Sequence, residues 1–233
     1  MTDNKQYPSP SALVREFHET YGQPIRTEPV FDIPERVMRS QLILEEASEY
    51  FEANKDNDLV EMADALADLV YVAFGAALTH GVNLDASFGN HGLSPAEVLK
   101  VVHVKRLRQK LRTTPTLNVL QRNQIAGGIS KTAVMYSKYV TEAHLEGPGD
   151  PDHIRELLTT IVSSCYFAAF SLGIDLDAVL EEVQRSNMSK LGEDGKPIYR
   201  EDGKVLKGPG FFNPEIERVL REQGWQGKVK EKK

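Results

Sequence analysis

Three carboxylates, Glu61, Asp64 and Asp68, run straight into the apolar stretch Leu69-Val-Tyr-Val-Ala-Phe74. A helix turns about 100° per residue, so these three positions fall within roughly 60° of one another. A helix here is apolar on most sides and acidic along one stripe, which predicts burial with the acids at the edge of a core. A second burst, Glu45, Glu46 and Glu49, lies just upstream, and Glu46 and Glu49 share one helical face. If the two helices pack antiparallel, the acidic faces meet. Carboxylates crowded at a core repel one another unless positive charge stands between them, and a hard divalent cation is the economical answer. The plainer reading of the first burst alone is a solvated Glu-rich face.

The surrounding chain is ordinary for a globular protein: 233 residues, 40% hydrophobic and 27% charged. A net charge of -6 argues against a general polynucleotide binder. The single cysteine, Cys165, excludes an intrachain disulfide and fits a reducing compartment. The N-terminus has no apolar signal core, and no uninterrupted apolar run approaches the ~20 residues of a membrane span. The expectation is a cytoplasmic protein with no membrane partner.

Helical periodicity predicts helices over 11–21, 34–54, 59–80, 94–112, 117–140, 152–172, 176–190 and 214–223, with a short helix after 81. Asp58 is placed as an N-cap, Gly81 as a helix stop, and Ser94-Pro95 as a helix opening. Residues 22–34 hold three prolines and read as an extended connection. Residues 192–214 are rich in Gly, Lys and Pro. Asp194-Gly195 and Asp202-Gly203 mark turns there, and Ile198-Tyr199 is expected to pair with Val205-Leu206. No large sheet is expected.

The chain also repeats itself. Arg39-Ser-Gln-Leu42 echoes Arg122-Asn-Gln-Ile125, and His80-Gly-Val-Asn-Leu-Asp85 echoes Leu172-Gly-Ile-Asp-Leu-Asp177. Each copy predicts a helical hairpin, and two hairpins make a four-helix unit. The alignment sets Glu45 against Gly128, Glu46 against Ile129, Glu49 against Thr132 and Asp68 against Thr160, and only Asp64 meets another acid, Glu156. The second copy is therefore degenerate. The reading is an all-α bundle of two tandem helical hairpins with a short Gly/Lys-rich C-terminal hairpin or loop. Its parts are an acid-bearing repeat at 1–92, a degenerate repeat at 93–191, and a Gly/Lys-rich loop with a last helix at 192–233.

Glu45-Glu-Ala-Ser-Glu49 followed by Glu61-Met-Ala-Asp64 resembles the E-E-x-x-E … E-x-x-D signature of the all-α nucleoside triphosphate pyrophosphohydrolases. That superfamily includes MazG-like enzymes, dimeric dUTPases and phosphoribosyl-ATP pyrophosphohydrolase. The run Ala67-Asp-Leu-Val-Tyr-Val-Ala-Phe-Gly75 is similar to the same region of MazG-like proteins. So are Glu182-Val-Gln-Arg-Ser-Asn-Met-Ser-Lys190 and the tail through Lys-Gly208. The resemblance covers 11–88 and 175–220. It implies Mg²⁺, with Mn²⁺ able to replace it, and water attack at the α–β linkage of a nucleoside triphosphate. The products are a monophosphate and pyrophosphate. It also implies a homodimer and a housecleaning role toward dUTP, dCTP or dGTP.

Carried onto this chain, the resemblance makes Glu46, Glu49 and Asp68 metal ligands and Glu45 a water-orienting base or an acid that supports the ligands from behind. If Asp68 is the motif aspartate, Ala65 stands where the motif has glutamate, and Asp64 or Glu61 has to compensate. The competing assignment makes Glu61 and Asp64 the motif pair and sets Asp68 behind them, off the metal. Asn187 and Lys190 are expected to contact the nucleotide from one helix face, and Lys204 and Lys207 to reach phosphate. Tyr199 is a candidate for stacking on the base. Tyr71 reads as core with substrate contact as the alternative. The six histidines show no ligand spacing for zinc. The basic stretch at 105–112 reads as a surface or interface helix. The rival to an enzyme is a noncatalytic nucleotide-binding helical module, which the missing motif glutamate favours.

Overall fold

The computed structural model describes residues 7–31, 33–88, 118–142 and 149–227. The predicted helix at 94–112, its Ser94-Pro95 cap and the basic stretch at 105–112 lie outside the described residues. Within them the protein is all-helical, with α1 (Pro10–Thr20), α2 (Arg36–Asp56), α3 (Leu59–His80), a 3-10 turn (Asp85–Phe88), α4 (Val119–Glu142), α5 (Pro151–Leu172), α6 (Leu176–Asn187) and α7 (Ile216–Glu222).

The centre of the fold is α3. The Asp58 carboxylate accepts from the N–H groups of Val60 and Glu61 at 3.1 and 3.3 Å, which opens the helix where the sequence predicts. Gly81 closes it at φ 69°, and a Cβ there would stand 2.1 Å from the Glu28 carbonyl oxygen. Only glycine fits this stop. The proline-rich segment before α2 is fastened to the same end, Arg26 N–H donating to Leu78 O and Val30 N–H to His80 O.

By length and composition α3 is apolar enough to cross a membrane, because Asp64 and Asp68 interrupt its apolar run without making the helix polar. In the fold 83% of that window is buried inside the protein. Burial against α1, α2, α5 and α6 accounts for its apolar character.

Around α3 the hairpins α2–α3 and α4–α5 pack as a four-helix bundle, α4 against α2 and α5 against α3. Ala126, Ile129, Ala133, Tyr136 and Val140 form the stripe that α4 buries, at the spacing of one helical face. Asn54 Nδ2 donates to Asn123 Oδ1 at 2.8 Å, and Arg122 donates to Asn57, which tie the two hairpins at one end. α3 and α5 share a pattern: 22 residues each, an Asp N-cap (Asp58, Asp150) and a left-handed Gly stop (Gly81, Gly173). Each pair of caps is 92 residues apart. Of the acids of α2 and α3, only Asp64 meets an acid in the second hairpin, Glu156, whose carboxylate lies 3.5 Å from His153 Nδ1. Ile129 is buried core, while the hydroxyls of Thr132 and Thr160 donate back to Gly128 O and Glu156 O.

On the far side of α3, α1 and α6 pack against it and against each other. Tyr21 joins them, its hydroxyl lying 3.0 Å from the carbonyl oxygens of both Asn187 and Met188. Glu182, buried in α6, accepts from Arg185 at 2.6 Å, Arg218 at 3.0 Å and the Glu215 N–H at 2.7 Å, which docks α7. The expected tail pairing is present as a single antiparallel bridge, Tyr199 with Val205.

Candidate functional site

A cavity of about 340 Å³ opens between α1, α2, α3, α6 and the C-terminal tail. Its lining divides by chemistry. At one end Glu45, Glu46 and Glu49 of α2 face Asp64 and Asp68 of α3, with Lys190, Lys204 and Lys207 above them. The helical stripes predicted for the two bursts therefore converge, apart from Glu61. That side chain lines an adjoining hollow with Asp64, Asn213 and α7. Asp64 stands at the boundary between the two spaces, so the acid set facing the cavity is Glu45, Glu46, Glu49, Asp64 and Asp68.

These carboxylates crowd one another. Burial, then the charges of Asp68, Glu49, Glu45 and Asp64, push the Glu46 carboxyl up to about 9. Burial raises Asp68 to about 6, with Glu49 and Glu45 adding to the shift while Lys190 and Lys207 oppose it. Burial lowers the Lys190 ammonium, opposed by Asp68. Lys204 Nζ lies 2.9 Å from Glu45 Oε2. Lys207 Nζ sits 4.3 Å above the Phe211 ring.

The residues that could hold a metal are all hard oxygen donors, a set suited to Mg²⁺. Among the described residues, no group of three or more acids, histidines or cysteines is already gathered as a metal cage. What fits a cation is the electrostatics: acids on facing helices raise one another's pKa, and a charge placed between them relieves this.

The predicted substrate residues are distributed more widely. Asn187 and Lys190 both line the cavity, but not from one helix face. α6 ends at Asn187, and Lys190 lies in the turn that follows, its N–H bonded to Asn187 O at 3.2 Å. The turn is clamped by Gly208, whose N–H donates to Lys190 O at 3.1 Å; a Cβ at Gly208 would meet Leu191 O at 2.0 Å. Tyr71 is buried and lines the cavity, its ring edge-on to Phe17 and its hydroxyl donating to Gln184 Oε1 at 2.6 Å. Gln184 in turn donates to Glu16 at 2.9 Å. Tyr199 stands outside the cavity lining. Its hydroxyl donates to Tyr21 O at 2.5 Å and its ring is half exposed, so it anchors the tail to the end of α1. Gln23 makes a second anchor, donating to Gly203 O at 3.2 Å.

The other end of the cavity holds residues that the motif reading passes over: His18, Gln23, Arg39 and Gly75. Arg39 precedes Glu46 by seven residues, two helical turns on the same face, so its position was legible from spacing. Gln23 arrives from an irregular segment, for which spacing gives no signal.

The site is thus an all-α bundle's cavity that gathers acids from two facing helices beneath a lysine-bearing tail. Residues 14–106 match the family model of phosphoribosyl-ATP pyrophosphohydrolase, a family of the MazG-like all-α nucleoside triphosphate pyrophosphohydrolase superfamily. The match supports nucleotide pyrophosphohydrolase-type activity in general, hydrolysis of an acid anhydride. The chain is also similar to an uncharacterized protein of Acanthamoeba polyphaga mimivirus, 29% identical over 198 residues that span 82% of this chain and 75% of that one. No solved structure matches it.

Proposed function

We propose that the protein hydrolyses a nucleoside triphosphate to its monophosphate and pyrophosphate by water attack at the α–β linkage, and that it does so with Mg²⁺. The observation that carries the reading is the facing set Glu46, Glu49, Asp64 and Asp68, two of whose members are pushed well above the carboxylate range by burial and mutual repulsion. Such a set is stable in its charged form only with a cation among its oxygens. These four side chains would hold the ion, which when bound neutralises polyphosphate charge and lowers the pKa of a bound water.

The remaining roles belong to the chain itself. Lys190, Lys204 and Lys207 bring three ammonium groups to the same end and suit the phosphates. Asn187 offers an amide to the sugar or phosphate edge. Glu45 is the acid best able to orient the attacking water, because it is exposed and its partner Lys204 can be drawn away by phosphate. The Tyr199 and Gln23 anchors hold Lys204 over the cavity. A housecleaning role on the deoxynucleotide pool, a homodimeric assembly and a cytoplasmic location complete the proposal. Duplication of an ancestral hairpin explains the matching caps of α3 and α5, and it leaves one active site per chain.

The test is a panel of ribo- and deoxynucleoside triphosphates with Mg²⁺ or Mn²⁺, reading monophosphate and pyrophosphate. Metal-dependent formation of both products supports the proposal. Nucleotide binding without any turnover would replace it with a binding module.

A further inference from the structure

The cavity is longer than its acidic end. Arg39 and Gly75 lie seven residues along α2 and α3 from Glu46 and Asp68, a rise of about 10 Å. That distance is of the same order as the reach from a nucleotide's α-phosphate across its sugar to its base. Phe17 and Tyr71 supply apolar wall between the two ends.

The far end carries an unusual polar set. Arg39 is 5% exposed. The one hydrogen-bond partner of its guanidinium among the described residues is Gln23 Oε1, at 3.0 Å from Nη2, and its Nε has none. Glu35, the acid whose charge reaches it, is ion-paired to Arg26 at 3.2 Å. Gln23 spends its amide on Gly203 O, so it fixes the guanidinium in place without being free for a ligand. His18 is 1% exposed, and its Nδ1 is 2.9 Å from the Pro24 carbonyl oxygen. A neutral ring must carry its proton on Nδ1 to make that bond, which leaves Nε2 as an acceptor. Arg39 Nη1 and His18 Nε2 both come to 3.2 Å from the point a Cβ would occupy at Gly75. A pure donor with full positive charge and a pure acceptor thus stand side by side at the end of a nucleotide-length cavity.

We propose that this end is a nucleobase pocket, in which Arg39 and His18 select bases that present a keto oxygen beside a ring N–H (guanine, hypoxanthine, uracil or thymine) over adenine and cytosine. The inference rests on the proposed nucleotide site and names its substrate class. A keto oxygen concentrates negative charge and takes a charge-assisted bond from the guanidinium, while the neighbouring ring N–H donates to His18. An amino group turned toward Arg39 sets donor against donor, and a ring nitrogen offers a buried cation a weaker partner than a carbonyl does.

Equilibrium binding of nucleoside monophosphates by calorimetry, without metal, separates this inference from the hydrolytic reading. The wild-type protein is expected to bind dGMP and dUMP about tenfold or more tighter than dAMP and dCMP. Arg39→Met should erase that difference while leaving dAMP and dCMP affinity nearly unchanged. Gly75→Ala, which pushes on both Arg39 and His18, should do the same and covers the case in which the Arg39 variant fails to fold. Equal binding of all four, or preference for the amino bases, overturns the inference whether or not triphosphates are hydrolysed. Keto preference in binding with no hydrolysis of any triphosphate sustains it and overturns the proposed reaction instead.

Discussion

Lys204 and Glu45 are 159 residues apart in sequence, yet the lysine ammonium donates to the carboxylate at 2.9 Å. The tail thereby brings its own cation to the acidic end of the cavity. Both side chains are partly exposed, so the pair itself contributes little to stability, about 1 kcal/mol or less. Its consequence is positional. Lys204→Ala is expected to raise KM for a nucleoside triphosphate about tenfold with a smaller change in kcat, and to lower the melting temperature by no more than about 4 °C. Steady-state kinetics with the natural base and an unchanged KM would remove Lys204 from phosphate contact.

Glu46 gives the metal-free protein a pH dependence of definite sign. Its folded pKa of about 9 lies above the ordinary 4.5, so the folded state holds a proton that the unfolded state has lost. That contribution to stability is intact below pH 4.5 and drains away as pH rises toward 9. Glu46→Gln, which needs no proton, is expected to be more stable than wild type in chelator at pH 8 by on the order of 2 kcal/mol. The same variant should lose most of the thermal shift that Mg²⁺ gives the wild type. Denaturant titrations at pH 5 and pH 8, with and without Mg²⁺, read both effects; wild type and variant responding alike would contradict the coupling.

His18 acts in the opposite direction. Burial, with Arg39 beside it, lowers its pKa from 6.5 to about 3, so between those values the unfolded state binds the extra proton. The fold then loses stability as pH falls from about 6.5 toward 3. Replacing His18 with Gln is expected to flatten that acid limb relative to wild type. Parallel unfolding curves at pH 4 and pH 7 check it, and equal acid sensitivity in both proteins would rule it out.

Much of the fold was legible because its signals are local. The Asp58 cap, the Gly81 stop and the apolar length of α3 place that helix exactly at Leu59–His80, and the two acidic bursts do converge. Elsewhere the competing forces are tertiary. The predicted helix to 190 stops at Asn187 because the chain must turn to pack its carbonyls against Tyr21 and Gly208. Glu61 shares a helical stripe with Asp64 and Asp68, yet it starts the helix and so faces α7 instead of the cavity. Tyr199 reads as a stacking residue by type, but its hydroxyl is used by the backbone of Tyr21. Gln23 reaches the cavity through irregular backbone, which no periodicity reports.

Gly81 tests the packing beneath the site. Its φ of 69° and the 2.1 Å approach to Glu28 O predict that Gly81→Ala costs about 2–4 kcal/mol, beyond the ~1 kcal/mol of left-handed strain alone. The clash lies at the end of α3 away from the acids, so the refolded variant should keep its kcat. A melting temperature equal to wild type would contradict the tight fastening of the 22–34 segment.

The proposed reaction is metal-assisted hydrolysis at the α–β linkage by the facing acids of α2 and α3. Glu49→Gln tests it most directly, since the residue is exposed at the cavity and the change keeps its shape. Pyrophosphate and monophosphate release is to be measured across the full triphosphate panel with saturating Mg²⁺, alongside nucleotide affinity. The wild type is expected to form both products, and Glu49→Gln to lose at least about 100-fold in kcat on every substrate while still binding nucleotide. Near-wild-type turnover by Glu49→Gln would contradict it.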